Sequence, residues 1–536
     1  MYYNYYQTNQ QEYDECLTKG VCSINPSLTS LQEVILLSLK ELAFYLFRLK
    51  ELGVRNEKIK ETFIDALSGI VTDAEYSQEQ FNNTMTTIHD ELNQAKLLYI
   101  NLCEKNTLDF KSFKSHFKHQ KNLDIATAMK KGEKYFLKKN TFFTPEQKNL
   151  FDIMLLLVKS VCIKIIELRS LGGDYEEPYY ALLSILSKMN FGDFTDELAK
   201  QEIKNFIDVY YELAKLVHYT QIKLFGEISQ VEVSFSTRPG KAIMVSGSDL
   251  KELEMVLETT AGRGIDVYTH GSEMLMAHTF PKFRAYSHLI GHFGTGMDNC
   301  LIDFATFPGA ILMTKHALQK IEYLYRGRLF TTDLIAPRGV VKLSKTNFEP
   351  LIQSTLSAKG FSKGQQRPPL KVGFTEQEVL KKVNNVLDKM EKGEIQHIYV
   401  VGLLNYANEY KVYFDKFFDL VPKNCFVFSL SQDKSGENIY HIKSFYEYSL
   451  VYRIFKEMKK RKPLNEFNMS VFLTKCDKHT IANVLNLKNM GIKNIYMCKC
   501  PPALVNPTLI ESLKTLFGIK QFSNPEEDIK MTLAED

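Results

Sequence analysis

The chain has 536 residues, of which 44% are hydrophobic and 24% are charged, and its formal net charge at pH 7 is +4. These values are ordinary for a soluble globular protein, and no dense run of lysine and arginine indicates a nucleic-acid partner. Charged residues interrupt the apolar runs well before the ~20 residues that cross a bilayer, so no membrane partner is predicted.

The amino terminus, MYYNYYQTNQQEYDEC, is acidic and has no basic stretch followed by an apolar one. Because secretory and mitochondrial leaders need such a stretch or an acid-poor composition, we expect a cytoplasmic protein. The nine cysteines are scattered through the chain. In that compartment they are expected to be reduced thiols and not a disulfide framework.

Residues 1–230 predict an all-helical domain. Apolar residues recur at helical spacing over 30–52, 56–70, 77–105, 145–171 and 196–228. Two of these segments begin with a capping-box pattern, Ser30 with Glu33 and Thr144 with Gln147. The box therefore predicts a helix start at Ser30 and another at Thr144.

From residue 241 the pattern changes to alternating strands and helices. The run AIMVSGS predicts a strand, Asp249 opens an amphipathic helix, and GIDVYTH predicts the next strand. This order is a βαβ unit and implies a parallel sheet. Further strands at 310–314 and 339–343 complete a first α/β domain over 231–355. A linker rich in Gly, Ser, Lys and Pro is predicted over 354–369.

Residues 370–536 predict a second α/β domain. Its predicted strands are 397–402, 425–431, 469–474 and 494–499, and its predicted helices are 407–420, 443–461 and 478–490. The predicted fold class is therefore α + α/β, with a helical domain followed by two Rossmann-like open parallel-sheet domains.

A histidine-rich loop follows the strand GIDVYTH and is the most conspicuous candidate site. It carries, within a short span, His270, Glu273, His278, His288 and His292. Ligands of open α/β sheets bind beyond the carboxyl ends of the strands. From residue types alone, this loop indicates a metal or redox site.

Several motifs resemble one protein family. They are VSGSDLKELE, GIDVYTHGSEMLMAH, HLIGHFG, FPGAILMT, RLFTTD, VVGLLNYA, NMGIKNIYM and the opening MYYNYYQT…CLTKGVC. Together they are similar to the hybrid-cluster (prismane) proteins, also called hydroxylamine reductases, over nearly the whole chain. The resemblance implies a helical domain and two Rossmann-like domains around an iron–sulfur–oxygen cluster. It also implies a cubane iron–sulfur cluster near the amino terminus.

The same resemblance implies which positions would bind these clusters. For the cubane cluster, the family's first cysteine pair falls on Tyr3 and Tyr6, and its second pair is retained as Cys16 and Cys22. The family's hybrid-cluster ligands fall on Ser248, Glu273, Ala317, Leu404, Gln432, Phe445 and Asp477. A cubane cluster needs four soft anionic ligands, and two thiolates alone cannot hold it.

Of the hybrid-cluster positions, two keep a carboxylate, Glu273 and Asp477. Glu273 follows one extra residue relative to the family motif, and Asp477 is one methylene shorter than the glutamate it replaces. At the other positions, the replacing side chains are those expected where core residues fill a cavity. They do not form a zinc site, which takes sets of His, Cys or carboxylate ligands. We therefore expect the space near these positions to be small and mostly dry, with Lys315, Lys434 or a histidine paired to any buried carboxylate.

Other residues are weaker candidates. His316 is the best candidate for a displaced ligand, whereas Cys476 and the pair Cys498 and Cys500 carry little signal. Given the resemblance, the four histidines of the loop are expected to have structural or supporting roles. Cys16 and Cys22 remain open as a redox or metal-binding pair.

The sequence leads to one main hypothesis with two alternatives. The main hypothesis is a cluster-free pseudoenzyme with a scaffold or regulatory role, no cofactor and an unidentified protein partner. The first alternative is a hydroxylamine or nitric oxide reductase that retains an atypical cluster. Its cofactors would be the iron–sulfur and iron–sulfur–oxygen clusters of the family. The ligands would be Glu273, Asp477, His316 and stray cysteines. The second is a thiol-based redox sensor that uses Cys16 and Cys22.

Overall fold

The computed structural model describes residues 26–534, except 73, 115–120, 191–193, 295–299, 316–322, 345, 403–407, 431–435, 443–447, 474–478 and 498–508. Contacts divide the chain into two compact units. The first comprises residues 1–213, 333–338 and 503–509, and the second comprises the remainder. No helix in the described ranges is long and apolar enough to cross a bilayer.

Helices form the described part of the first unit. They are α1 (Pro26–Glu51), α2 (Glu57–Ser68), α3 (Gln78–Lys105), α4 (Ile125–Phe142), α5 (Pro145–Ser170), α6 (Glu176–Lys188) and the start of α7 (Asp196–Phe225). Helix α1 contacts α3, α4 and α6, and its side chains Val34, Ile35 and Leu39 are fully buried. For the described residues of the first unit, the predicted all-helical character is confirmed.

The helix starts show where the capping pattern was informative. At α5 the predicted box is present, because the Gln147 backbone N–H donates to the Thr144 hydroxyl at 3.2 Å and the Gln147 side chain accepts from the Thr144 N–H. The start predicted at Ser30 is wrong, since α1 already begins at Pro26. Helices α4 and α6 were missed. Gly132 lowers the helical signal of α4, but a Cβ there would lie 2.0 Å from the Ser30 carbonyl oxygen, so close packing on α1 requires glycine.

The first six-stranded sheet lies in the second unit. Its strands and helices are β2 (Lys241–Ser246), α8 (Leu250–Thr260), β3 (Ile265–His270), α9 (Ser272–Ala277), α10 (Pro281–Arg284), β4 (Leu289–His292), α11 (Cys300–Thr306), β5 (Ala310–Met313), α12 (Tyr323–Arg326), β6 (Leu329–Thr331), β7 (Val341–Lys342) and α13 (Glu349–Ser357). The strand order is β4-β3-β2-β5-β6-β7, and every pairing is parallel.

The order of this sheet defines its ligand-binding edge. From β2 the chain proceeds outward to β3 and β4, and then returns to the other side of β2 to form β5, β6 and β7. The reversal between β2 and β5 is a topological switch point, where open α/β sheets bind ligands. In register, Ser246 lies opposite His270 on one side and opposite Met313 on the other.

Two features of this region differ from the prediction. The motif HLIGHFG was not predicted as a strand, yet Leu289–His292 form β4. Gly291 lies against the backbone of Ser234, and a Cβ at this position would be 2.2 Å from the Ser234 carbonyl oxygen. The linker predicted over 354–369 begins too early, since residues 354–357 are helical, whereas residues 358–369 contain no helix or strand. Helix α13 extends into it, and backbone hydrogen bonds tie Phe361 to Gly240 and Gln365 to Thr237.

A short antiparallel pair and a second sheet complete the second unit. The pair joins β1 (Val231–Val233) to β8 (Leu370–Val372). The rest comprises α14 (Glu376–Glu391), β9 (His397–Val401), α15 (Asn408–Leu420), β10 (Cys425–Ser429), β11 (Ile439–His441), α16 (Tyr448–Lys459), β12 (Met469–Leu473), α17 (Thr480–Met490), β13 (Asn494–Met497), α18 (Leu509–Phe517), β14 (Lys520–Gln521) and α19 (Pro525–Ala534).

The strand order of the second sheet is β11-β10-β9-β12-β13-β14, and its pairings are all parallel. The predicted α + α/β class with two open parallel sheets is therefore confirmed. The division into domains 1–230, 231–355 and 370–536 stays a prediction.

Candidate functional site

Two of the implied metal-ligand positions, Ser248 and Glu273, belong to the described part of the chain. The others lie outside the described residues, namely Tyr3, Tyr6, Cys16, Cys22, Ala317, Leu404, Gln432, Phe445 and Asp477, as do His316, Lys434, Cys476, Cys498 and Cys500. The geometry of the candidate site is therefore that of the first sheet at its switch point.

Ser248 lies directly beyond β2, one residue before the N-cap of α8. Gly247 has a φ of 120°, which allows the chain to turn sharply from strand to helix. The Thr314 hydroxyl, at the end of β5, accepts the backbone N–H groups of Ser248 at 3.1 Å and Asp249 at 3.3 Å. Asp249 caps α8 by accepting the Glu252 N–H at 3.0 Å, as predicted. Ser248 thus occupies a half-buried turn held from both sides of the switch point.

Glu273 lies beyond the neighbouring strand, β3. Gly271, with a φ of 86°, separates the strand from α9, and Glu273 falls in the first turn of that helix. Its side chain is half-buried. The structure therefore places Ser248 and Glu273 beyond the carboxyl ends of adjacent strands.

His270 lies at the centre of a buried polar network. Its Nδ1 is 2.9 Å from the Ser246 hydroxyl, and its Nε2 is 3.3 Å from Oδ2 of Asp303. The imidazole is completely buried, and its edge packs against the ring of Phe304. Both ring nitrogens of His270 therefore have hydrogen-bond partners within the protein.

Two further imidazoles share one hydroxyl. Thr269 Oγ1 lies 2.9 Å from Nε2 of His278 and 2.9 Å from Nδ1 of His292. The rings of His270 and His292 are parallel, with their centroids 6.3 Å apart. His270 is thus bonded to Ser246 and Asp303, His278 and His292 are bonded to Thr269, and the stacked rings of His270 and His292 bring the two groups together.

The pKa values of His278 and His292 are lowered, which keeps these two imidazoles neutral near pH 7. Burial lowers the pKa of His278 to about 4. Burial also holds the pKa of His292 well below its ordinary value, and repulsion from His270 and His278 lowers it further. The fourth histidine of the loop, His288, is half-buried and lies 3.0 Å from the Thr260 hydroxyl. In the described residues these side chains act as polar packing groups.

Protonation of His278 should destabilise the second unit as the pH falls. An ordinary histidine titrates near pH 6.5, so the unfolded chain binds a proton at His278 that the folded chain excludes until about pH 4. The contribution of His278 to stability should therefore rise with pH across this window and fall on acidification. By pH 5 the loss from His278 alone should reach about 2 kcal/mol.

Thermal unfolding midpoints measured from pH 7 to pH 5 would test this expectation. His278→Gln, which keeps a side chain able to bond Thr269, should lose about 2 kcal/mol less stability than the wild type between these two pH values. His89→Gln, in the first unit, should leave the pH dependence unchanged. Equal pH slopes for the wild type and His278→Gln would show that His278 is not the acid-sensitive group.

A buried ionic cluster lies at the same switch point. Lys315 Nζ is 2.8 Å from Oε1 of Glu252 and 3.3 Å from Oδ2 of Asp249. The Thr332 hydroxyl donates to the same Glu252 oxygen at 2.6 Å. Lys315 was considered a partner for Glu273, and the structure instead pairs it with Asp249 and Glu252. Sequence reasoning missed Glu252, whose only local signal was its place in the first turn of α8.

Within this ionic cluster, the charged form of Glu252 is disfavoured. Burial, followed by the negative charge of Asp249, raises the pKa of Glu252 to about 7, although Lys315 opposes this shift. Burial lowers the pKa of Lys315, but the two carboxylates outweigh it and leave that pKa raised. Lys315 therefore remains an ammonium ion that holds two buried acids.

Within the described ranges, no three side chains among His, Cys, Asp and Glu are grouped so that they could bind a metal ion. An iron–sulfur cluster takes soft thiolate ligands. At the switch point of the first sheet the described side chains are instead hydroxyls, imidazoles, carboxylates and one ammonium group. These residues do not fit the clusters that the sequence resemblance implies.

The fold combines a helical region with two open parallel α/β sheets, and comparison with known proteins identifies the family. The Prismane/CO dehydrogenase family pattern matches residues 10–431. The chain therefore belongs to this family.

Curated relatives extend the likeness to nearly the full length. A protein of Thermodesulfovibrio yellowstonii named hydroxylamine reductase is 28% identical over 97% of this chain and 98% of its own. Another of that name, from Syntrophobacter fumaroxidans, is 28% identical over 98% and 99%. A nickel-free carbon monoxide dehydrogenase of Thermococcus sp. AM4 aligns with a TM-score of 0.49 and 11% identity over 99% of this chain and 93% of that chain.

Proposed function

We propose that this chain is a cluster-free member of its family, with a scaffold or regulatory role in the cytoplasm and a protein as its partner. The observation that carries the proposal is the loss of donors at the implied ligand positions. Ser248 stands where the resemblance implies a histidine, and Ala317, Leu404, Gln432 and Phe445 stand where it implies cysteines.

The described surroundings of Ser248 support this proposal. Its backbone is held by Thr314, and the next residue, Asp249, is committed to capping α8 and pairing with Lys315. A lysine ammonium has no lone pair with which to bind a metal. Among the described residues, the side chains of His270, His278 and His292 are hydrogen-bonded within the protein, which argues against their replacing the missing imidazole.

The lost donors bear directly on activity. Reduction of hydroxylamine, the reaction named for the relatives, requires electrons that a redox cofactor delivers. Serine, alanine, leucine, glutamine and phenylalanine cannot supply them. Without the clusters, the folded protein and its surfaces are what remains to carry a scaffold or regulatory role.

A side-by-side assay tests the proposal. The chain and the Thermodesulfovibrio yellowstonii relative would be produced in the same host that assembles iron–sulfur clusters and purified without air. Hydroxylamine consumption would be followed with a reduced viologen dye as electron donor. The relative should turn over, and this chain should show no rate above the dye alone.

A hydroxylamine-dependent rate comparable with that of the relative would favour the alternative, a reductase that retains an atypical cluster. Mapping reversible oxidation of Cys16 and Cys22 in the same preparation addresses the thiol-sensor alternative. Reversible oxidation confined to these two cysteines would support a sensor and replace the scaffold role proposed here.

A further inference from the structure

The ends of β2 and β5 are joined by an ion pair at the switch point of the first sheet. Asp249 follows β2 by three residues, and Lys315 follows β5 by two. Their side chains meet at 3.3 Å. The same ammonium group bonds Glu252, one turn along α8. A single lysine therefore links the segment after β5 to the helix after β2.

The partners of this lysine are withdrawn from water. The exposed fraction of the side chain is 18% for Lys315, 9% for Asp249 and 4% for Glu252. Two carboxylates held this close together in a buried site repel each other unless a cation lies between them. Among the described residues, Lys315 is the cation that contacts Glu252.

The positions of these residues in the sequence give the ion pair its significance. Asp249 is next to Ser248, and Lys315 lies two residues before Ala317. The resemblance implies that residues at 248 and 317 would bind one common metal cluster. A shared cluster would cross-link these two segments, and in this chain Lys315 connects the same two segments.

We propose that Lys315 is a built-in cation that fastens the ends of β2 and β5 together and so replaces the cross-link of a shared metal group. The replacement of a metal rests on the function proposed above, whereas the fastening does not. The fastening has three parts. The ammonium group bridges Asp249 and Glu252, Thr332 orients the Glu252 carboxylate, and Thr314 holds the backbone of the turn.

The test compares two lysines near the same helix. Lys315→Met removes the bridging charge but keeps an unbranched side chain that is one atom shorter. Lys251→Met removes a neighbouring cation whose partner, Glu254, retains Lys282. At pH 8, Lys315→Met should lower the thermal midpoint of the full chain by about 6–15 °C, because breaking a buried pair leaves charge uncompensated. Lys251→Met should change it by no more than about 2 °C.

A second substitution separates charge from packing. Glu252→Gln added to Lys315→Met removes one bare carboxylate and keeps an acceptor for Thr332, so it should recover part of the lost midpoint. If Lys315→Met alone yields no folded protein, recovery of folded protein in the double variant supports the proposal. Equal midpoints for Lys315→Met and Lys251→Met, or a double variant no better than Lys315→Met, would overturn it.

The iron content of the wild type distinguishes this inference from the proposed function. If the wild type binds stoichiometric iron yet the lysine variants behave as expected, the cluster-free function fails and the fastening stands. If the wild type is free of iron and Lys315→Met and Lys251→Met have equal thermal midpoints, the fastening fails and the proposed function stands.

Discussion

Replacing His270 by alanine should reduce the stability of the first sheet by about 3–5 kcal/mol. The imidazole is completely buried, and the substitution removes its hydrogen bonds to Ser246 and Asp303. It also removes the edge contact with Phe304 and leaves a cavity. The loss should be independent of any metal, because both ring nitrogens already have partners within the protein.

The appropriate measurement is amide hydrogen exchange along β2 and β3, because it reports the opening of these two strands separately from the rest of the chain. The control is Ser246→Ala, which removes one of the two hydrogen bonds of His270. It should reduce the free energy of opening of β2 and β3 by about 1 kcal/mol. If His270→Ala instead left the protection of β3 unchanged and altered metal content, the histidine would be a metal ligand and not a structural group.

Local patterns predicted much of the fold because they were repeated and strong. The strand ending at Ser246, the cap at Asp249 and the strand ending at His270 were all identified from residue type and spacing, and the structure confirms them. Strand β4 and helix α4 were missed because Gly291 and Gly132 weaken the local signal. Each glycine is required by a close approach to a residue distant in sequence, which no local pattern reveals.

The candidate site was predictable in its location but not in its contacts. The motif resemblance placed attention on Ser248 and Glu273, and both lie beyond neighbouring strands of the first sheet. It gave no sign that Lys315 would pair with Asp249 and Glu252. Those partners are 66 and 63 positions away along the chain, and the parallel pairing of β2 with β5 brings them together.

The largest expected effect concerns iron. A cubane cluster needs four soft ligands, and this chain offers two cysteines in place of the implied four, Cys16 and Cys22. At the positions implied for the second cluster, Glu273 and Asp477 are the remaining groups that could bind a metal. Two separated carboxylates do not replace a set of thiolates. Neither cluster should therefore assemble.

The direct measurement is the iron and acid-labile sulfide content of the chain, produced in cells that assemble iron–sulfur clusters and purified without air. The Syntrophobacter fumaroxidans relative, prepared in parallel, provides the control for cluster assembly. The account predicts far less than one iron atom per chain, no acid-labile sulfide and no brown absorbance. Several iron atoms and matching sulfide per chain would contradict it.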